Sequence, residues 1–225
     1  MQRPSQTFST ADRQQVEQAV AAAESHTSAE IVAAVAGSSG RYDRPEDIIG
    51  LWTAIIALCV TWALWKVEAP QPGSWGEKAP VLQLIALVTA VVVGFIAGAV
   101  AGSHFGTLRR LFTPAREMHA EVWGRARQVF YDRRVSRTAG RSGILIYVSL
   151  YERMAAVVAD DAVYEKLGAK GLDELCQQLT AALRHGNPTA AFCTTIASAG
   201  RLLAPVLPRA TDDINELGDA LVLLE

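Results

Sequence analysis

Two long apolar stretches dominate the pattern of hydrophobic and polar positions in the middle of the chain. Residues 48–67 read IIGLWTAIIALCVTWALWKV, with no charge before Lys66, and residues 80–102 read PVLQLIALVTAVVVGFIAGAVAG, with no charge at all. Each matches the roughly 20 residues that a helix needs to cross the hydrocarbon core of a bilayer. A buried helix of a soluble protein is usually shorter and keeps a polar stripe. The pattern therefore predicts two transmembrane helices.

The segment between these stretches, residues 68–79, is polar and rich in proline and glycine. So short a connector predicts an antiparallel helical hairpin, which brings both flanking parts of the chain to one side of the membrane. Basic residues near the hairpin ends are Lys66 and Lys78 on the connector side, against Arg41, Arg44, Arg109, Arg110 and Arg116 on the other side. The positive-inside rule then predicts a multi-pass membrane protein whose soluble part faces the cytoplasm.

Four glycines recur at every fourth position along the second stretch and just after it: Gly94, Gly98, Gly102 and Gly106. This spacing forms a groove on one helix face that lets another backbone approach closely. The partner is either the first helix of the hairpin or a second molecule, which would be another protein or a copy of this chain in a homo-oligomer. The sequence leaves these alternatives open.

Outside the hairpin, helical and strand patterns alternate. A capping box at residues 9–12 and apolar spacing of three or four predict a helix over residues 10–25, and residues 30–37 read as a buried strand. Thr113 and Pro114 mark the start of an amphipathic helix. Residues 143–150 and 153–160 are apolar runs with almost no connection, which predicts a hairpin of central strands.

Helical patterns follow from residue 162 to residue 204, with a break at Gly186. The chain between the first strand and residue 143 is long enough for these two strands to pair in parallel. The element order predicts an α/β fold, with a small mixed β-sheet flanked by helices. Residues 1–47 and 105–225 would form one discontinuous domain, interrupted by a transmembrane hairpin over residues 48–104.

Charge and composition remove several functional classes. Lys and Arg number 21 and Asp and Glu 23, for a net charge of −2, so nothing indicates nucleic-acid binding. The three cysteines and four histidines are scattered, which gives neither a disulfide framework nor a zinc site. The sequence contains no P-loop, nucleophile elbow or paired-histidine motif, and catalysis is therefore the less favoured interpretation.

Two sets of charged residues are candidates for binding. Asp160 and Asp161 follow the last predicted strand and, with Asp212, Asp213 and Glu216, are candidate ligands for Ca²⁺ or another divalent cation. Adjacent strand residues point to opposite faces, so the alternative is that one aspartate caps the next helix. The second set is Arg109, Arg110 and Arg116, which are candidates for contact with anionic lipid headgroups of the bilayer.

Several segments together resemble the TPM domain: TSAEI (27–31), SGILIYVSLYER (142–153), VVAD (157–160), AGRLLAPVLP (199–208) and INEL (214–217). Their order is similar to that in a bacterial branch of membrane proteins whose domain is split by a two-helix transmembrane insertion. The resemblance implies a three-layer α/β sandwich at a bacterial inner membrane. Two positions depart from the family pattern, with Ala162 in place of a glycine and Leu172 in place of a frequent tryptophan.

Relatives of the TPM domain are described as acid phosphatases, calcium binders or accessory factors in the maintenance of membrane complexes, so the fold alone does not decide the activity. The expectation from the sequence is a non-catalytic accessory or interaction module. The alternative is a metal-dependent phosphatase with a site near Asp160, at the carboxyl ends of the strands.

Overall fold

The computed structural model describes residues 3–42, 44–65, 80–104, 113–210 and 214–225. The α-helices in these ranges are α1 (Pro4–Thr7), α2 (Thr10–Glu24), α3 (Arg44–Leu64), α4 (Pro80–His104), α5 (Ala115–Asp132), α6 (Asp161–His185) and α7 (Pro188–Leu203). The strands are β1 (Glu30–Ala36), β2 (Gly143–Ser149), β3 (Met154–Ala159) and β4 (Val222–Leu224). The chain divides into two units, Met1–Gly40 with Arg116–Glu225 and Arg41–Ala115. We call them the α/β unit and the hairpin unit.

The α/β unit is built on a mixed sheet with the strand order β3-β2-β1-β4. β1 pairs in parallel with β2 on one side and with β4 on the other, and β2 pairs with β3 as an antiparallel hairpin. All seven residues of β1 and of β2 are buried, because both strands are central and covered on both faces. The predicted α/β class and mixed sheet are confirmed.

Helices cover both faces of this sheet, which makes three layers. On one face α2, α6 and α7 enclose a core that includes Val16, Val20, Ile31, Ile144, Leu175, Leu179, Phe192 and Ile196. On the other face α5 is the covering helix, and its apolar stripe contacts the opposite side of the same strands through Val122, Ala126, Val129 and Phe130. The alternation of side chains along each strand supplies both cores from one sheet.

Local sequence signals set most helix ends. The Ser9 hydroxyl accepts a hydrogen bond from the Asp12 amide, and the Asp12 carboxylate accepts one from the Ser9 amide, which completes the predicted capping box. At the start of α7 the Asn187 side-chain oxygen accepts a hydrogen bond from the Thr189 amide at 2.9 Å. The predicted break at Gly186 separates α6 from α7, and α6 is itself kinked at Gly168, whose φ of +64° and ψ of 176° are not helical.

In the hairpin unit, α3 and α4 lie against each other in antiparallel directions. Gly94 is opposite Thr53 and Ala57, and Gly102 is opposite Glu46 and Ile49. The segments Glu46–Leu64 and Val81–His104 are long and apolar enough to cross a membrane, by length and composition. Lys66, Val67, the connector 68–79 and Gly106 lie outside the described residues.

Close approach of the two helices explains the glycine spacing. A side chain at Gly98 would overlap the Thr53 hydroxyl, and it would lie 2.9 Å from the Gly50 Cα. The Thr53 hydroxyl is 2.8 Å from the Gly94 carbonyl oxygen, a polar contact between the helices. Within the described residues, therefore, Gly94, Gly98 and Gly102 face the first helix of the hairpin.

Candidate functional site

Asp160 and Asp161 lie at the end of β3. Because β3 runs antiparallel to β2, this end is beside the first residue of β2, and the Asp160 amide donates to the Gly143 carbonyl at 2.8 Å. The Asp160 carboxylate accepts a hydrogen bond from the Asp161 amide at 2.9 Å and caps α6. Asp161 forms an exposed ion pair with Arg141 at 3.0 Å. The structure thus gives Asp160 the capping role that the sequence offered as the alternative to metal binding.

The other residues named from the sequence do not gather around these aspartates. Glu216 is exposed, and its carboxylate accepts a hydrogen bond from the Ala139 amide at 2.9 Å. Arg116 is exposed in the first turn of α5. Asp212, Asp213, Arg109 and Arg110 lie outside the described residues. Among the residues that are described, no three His, Cys, Asp or Glu side chains converge to hold a metal ion.

A different polar site lies at the end of the sheet where β1 begins. A cavity of about 180 Å³ is lined by Ala21, Glu24, Thr27, Glu30, Arg209, Asn215 and Asp219. These residues come from the last turns of α2, the turn into β1, the segment after α7, and the C-terminal segment 214–219. We call the cavity the acidic pocket and residues 214–219 the C-terminal strap.

Glu24, in the last turn of α2, is only 9% exposed. One carboxylate oxygen accepts a hydrogen bond from the Ile31 amide at 2.7 Å, and the other is 3.5 Å from the Asn215 side-chain nitrogen. Burial raises the pKa of Glu24 to about 8, and the nearby charges of Glu30 and Asp219 act in the same direction.

Glu30, the first residue of β1, is 5% exposed. Its two carboxylate oxygens accept hydrogen bonds from the backbone amides of Glu216 and Leu217, both at 3.2 Å. Within the strap, the Asn215 side-chain nitrogen donates to the Asp219 carboxylate at 2.7 Å. The two glutamates thus hold the C-terminal strap against the start of the sheet.

Another buried carboxylate, that of Glu152, lies at the opposite end of the central strands. Glu152, in the β2–β3 turn, has no exposed surface, and it accepts hydrogen bonds from the Ser39 amide at 2.9 Å and the Gly40 amide at 3.3 Å. The Ser149 hydroxyl donates to the other oxygen of Glu152. Ser39 also hydrogen-bonds Tyr147 at 2.8 Å, and burial raises the pKa of that tyrosine. These contacts fix the loop that leaves β1.

Sequence reasoning missed the acidic pocket. Glu24 and Glu30 occur as the end of a helix and the start of a strand, and they are separated from Asn215 and Asp219 by most of the chain. One signal was present, because a glutamate opening an otherwise apolar buried strand needs a buried partner. The TSAEI and INEL segments, which carry part of the TPM resemblance, contribute Glu30 and Asn215 to this pocket.

Comparisons with known proteins bear on the fold. No family model matches the chain. No curated protein matches it either. Among solved structures, the chain is similar to the NMR structure of BA42 protein from the psychrophilic bacterium Bizionia argentinensis, with a TM-score of 0.56 and 16% sequence identity over 99% of each chain. At this identity the similarity shows a shared α/β fold, and nothing about activity.

Proposed function

We propose that the chain is a membrane-anchored α/β protein of the TPM type, whose α/β unit serves as a non-catalytic accessory or interaction module. The observation that carries this proposal is the outward surface of α3 and α4. Large apolar side chains are exposed along both helices, among them Trp62 at 68%, Leu82 at 63% and Val93 at 59%. Soluble monomers rarely expose apolar surface on this scale, whereas lipid would cover it.

The proposed setting is a bacterial inner membrane with the α/β unit in the cytoplasm. Support for the orientation comes from the charges that flank the apolar helices. Arg41, Arg44 and Arg116 belong to the ends that join the α/β unit, and only two lysines belong to the connector side. Positive charge is retained preferentially on the cytoplasmic side.

The preference for a module over an enzyme rests on what the polar side chains bind. The hydroxyl of Thr27, which lines the acidic pocket, donates to the Leu207 carbonyl at 2.6 Å. The Ser149 hydroxyl is engaged by Glu152, and Asp160 caps a helix. The two hydroxyls therefore have structural partners in the place where a hydrolase would need a free nucleophile, whereas Asp160 uses one carboxylate oxygen as a cap and keeps the other buried without a hydrogen-bond partner.

The alternative, a metal-dependent phosphatase, requires cationic donors close to the metal ligands. An arginine side chain can pair with phosphate, but Arg153 precedes β3, and Asp160 follows it. At about 3.3 Å of rise per residue, a strand of this length separates the two by roughly 20 Å. A phosphatase site at Asp160 would need other residues for the phosphate.

Alkaline carbonate extraction of membranes from expressing cells tests the anchor. The full chain is expected to remain in the membrane pellet and to leave it only with detergent. Val93→Arg places a charge in the span at a cost of about 3 kcal/mol and should reduce the membrane-retained fraction. Tyr131→Arg, at an exposed position of α5, is the matched control and should not reduce it. Release of the unaltered chain as a monodisperse soluble protein would refute the membrane proposal.

Hydrolysis of a chromogenic phosphate ester, with and without Ca²⁺ or Mg²⁺, separates the module from the phosphatase. The module predicts no turnover by the detergent-purified chain. Asp161→Asn is the informative variant, because Asp161 and its partner Arg141 are both exposed and the substitution should leave the melting temperature unchanged. Turnover that this variant abolishes would establish the phosphatase instead.

A further inference from the structure

We propose that the loop between α5 and β2 is a docking surface for an acidic segment of a partner protein. The loop, residues 133–141, reads RRVSRTAGR and contains four arginines and no acidic residue. We call it the arginine loop. The inference rests on the proposed function, because an interaction module needs a surface for its partner, and it names the chemistry of that partner.

The backbone of the arginine loop is held by its apolar and small polar residues. Val135 has no exposed surface and packs in the core beneath α5. Thr138 is buried, and its hydroxyl accepts a hydrogen bond from the Ser142 amide at 2.9 Å. The Ala139 amide donates to the Glu216 carboxylate at 2.9 Å. The arginines therefore project from a loop whose backbone is already fixed in the free protein.

The arginine side chains point to solvent. Three of them are exposed and form no ion pair with any residue that the structure describes: Arg133, Arg134 and Arg137. Arg141, which is also exposed, pairs with Asp161 at 3.0 Å. Most of the positive charge of the loop is thus available to a second molecule.

An exposed aromatic side chain adjoins the arginine loop. Tyr131, in the last turn of α5, is 66% exposed, and its ring packs edge to face on Phe130 with 5.7 Å between the ring centroids. The Tyr131 carbonyl accepts a hydrogen bond from the Arg134 amide at 3.0 Å. Arg127, also exposed, lies one turn earlier on the same face of α5. Tyrosine and arginine are enriched at the energetic centres of protein interfaces.

Nearby carboxylates only partly offset this charge. Asp161 is paired with Arg141, Asp132 directly precedes the loop, and Glu216 is bound to its backbone. With Arg127 included, five arginines meet these three carboxylates, so the surface keeps a net positive charge. An acidic partner is the complement of such a surface.

Two of the arginines occupy backbone positions that glycine would fill with less strain. Arg134 has a φ of +59°, and Arg141 has a φ of +49°. In this left-handed region the Cβ of an ordinary residue crowds the backbone. Arg141 has Asp161 as a partner, whereas Arg134 gains no ion pair within the described residues that would offset the strain. This favours a use of the Arg134 side chain outside the chain.

The arrangement fits protein carboxylates better than other anions. A guanidinium group binds a carboxylate through two parallel hydrogen bonds, so arginines on a fixed backbone select for geometry as well as charge. Fluid lipid headgroups gain little from a fixed arrangement. Nucleic acid needs a more extensive basic face than this chain, with a net charge of −2, offers.

Fluorescence anisotropy of a labelled decaglutamate peptide, titrated with the full chain in detergent micelles, tests the surface. Arg134→Gly and Arg137→Gln should each weaken binding about three- to tenfold, because each removes a charge-assisted hydrogen bond to a carboxylate. Arg184→Gln, at an exposed position of α6 on the other face of the sheet, is the matched control and should bind like the unaltered chain. No binding by the unaltered chain, or equal weakening in Arg184→Gln, would overturn the proposal.

The melting temperature separates a binding role of Arg134 from a structural one. Arg134→Gly should unfold at the same temperature as the unaltered chain or at a higher one, because glycine adopts positive φ without crowding. Weaker binding together with a lower melting temperature would assign Arg134 to the fold and overturn its place in the docking surface.

Competition identifies the class of anion. Unlabelled decaglutamate should displace the labelled peptide at a lower concentration than an oligothymidylate of the same length or a short-chain phosphatidylglycerol. The reverse order would assign the loop to nucleic acid or to lipid and refute the protein partner. Carbonate extraction and phosphate ester hydrolysis do not involve these arginines. Failure of peptide binding is therefore distinguishable from failure of the proposed function.

Discussion

Glu24 makes the stability of the α/β unit depend on pH. Its pKa is about 8 in the folded chain, against an ordinary value of 4.5, so the folded state binds more protons than the unfolded state between these values. Stability is therefore full below about pH 4.5 and is lost progressively as the pH rises through 8. The loss is a few kcal/mol at most, because the pocket is open to solvent on one side.

The corresponding prediction concerns thermal unfolding. From pH 6 to pH 9 the melting temperature of the unaltered chain should fall, and in Glu24→Gln this fall should largely disappear. Circular dichroism of the detergent-solubilised protein measures both. A variant that loses as many degrees as the unaltered chain would show that other groups dominate the titration.

Glu152 anchors the loop after β1 through several donors at once, and its replacement should be costly. Glu152→Ala leaves the Ser39 and Gly40 amides and the Ser149 hydroxyl without their buried acceptor, which should cost about 2–4 kcal/mol of unfolding free energy. Glu152→Gln retains one acceptor oxygen and should cost less. Denaturant unfolding followed by tyrosine and tryptophan fluorescence gives the two values. Equal values would exclude hydrogen bonding as the main role of this side chain.

At the scale of elements, alanine substitution of two helical glycines, Gly168 and Gly124, should change the stability of the protein in opposite directions. A Cβ at Gly168 or at Gly124 meets no atom within 4 Å, so space does not distinguish them. Gly168 has a φ of +64°, which an alanine adopts only with strain of about 1–3 kcal/mol. Gly124, inside α5, should become about 0.5–1 kcal/mol more stable as alanine.

Melting temperatures of Gly168→Ala and Gly124→Ala test this contrast. The first should decrease and the second should increase relative to the unaltered chain. If both changed in the same direction, the kink in α6 would not be what requires a glycine at position 168.

The helix pair of the hairpin unit should tolerate bulk on one face of α4 and not on the other. Gly98→Leu forces the side chain into Thr53 and the backbone of α3, and the two helices would have to separate. Ala97→Leu, one residue away at an exposed position, is the matched control. The fraction that stays monodisperse in detergent after mild heating should fall for Gly98→Leu alone. An equal fall for both would show that the face does not matter.

Helices and strands differed in how far the sequence revealed them. The start of α2 follows from contacts between residues only a few positions apart, and the capping box at residues 9–12 predicted it closely. β4 was not predicted, because three apolar residues near the end of a chain have no period to detect. Its pairing of Val222 with Ala34 depends on the whole intervening fold.

At the scale of the whole molecule, the orientation of the α/β unit can be measured with a single introduced thiol. Tyr131, which is 66% exposed, is a better position than the natural Cys176. Burial raises the pKa of Cys176, and its thiol donates to the Ala155 carbonyl, so reaction there would be slow. In Tyr131→Cys, a membrane-impermeant maleimide should react only after cells are permeabilised, with the unaltered chain as background. Rapid labelling of intact cells would place the unit outside.

In the candidate site, proximity in sequence does not predict proximity in the folded structure. Asp160 and Asp161 are consecutive, yet the Asp160 carboxylate caps α6 whereas the Asp161 carboxylate pairs with Arg141. Glu24, Glu30 and Asn215 are distant in sequence and meet in one pocket. A sheet that takes its central strand from the start of the chain and an edge strand from its end creates contacts that no local pattern contains.

That arrangement has a consequence during synthesis. β1 leaves the ribosome long before its neighbours, because one partner strand begins at Gly143 and the other at Val222. While the hairpin unit is translated, the seven residues of β1 have no partner strand. Their unpaired backbone groups and apolar side chains can then form non-native contacts. Deleting residues 222–225 would leave one side of β1 without its partner strand, and such a polypeptide is expected to need chaperones and to aggregate without them.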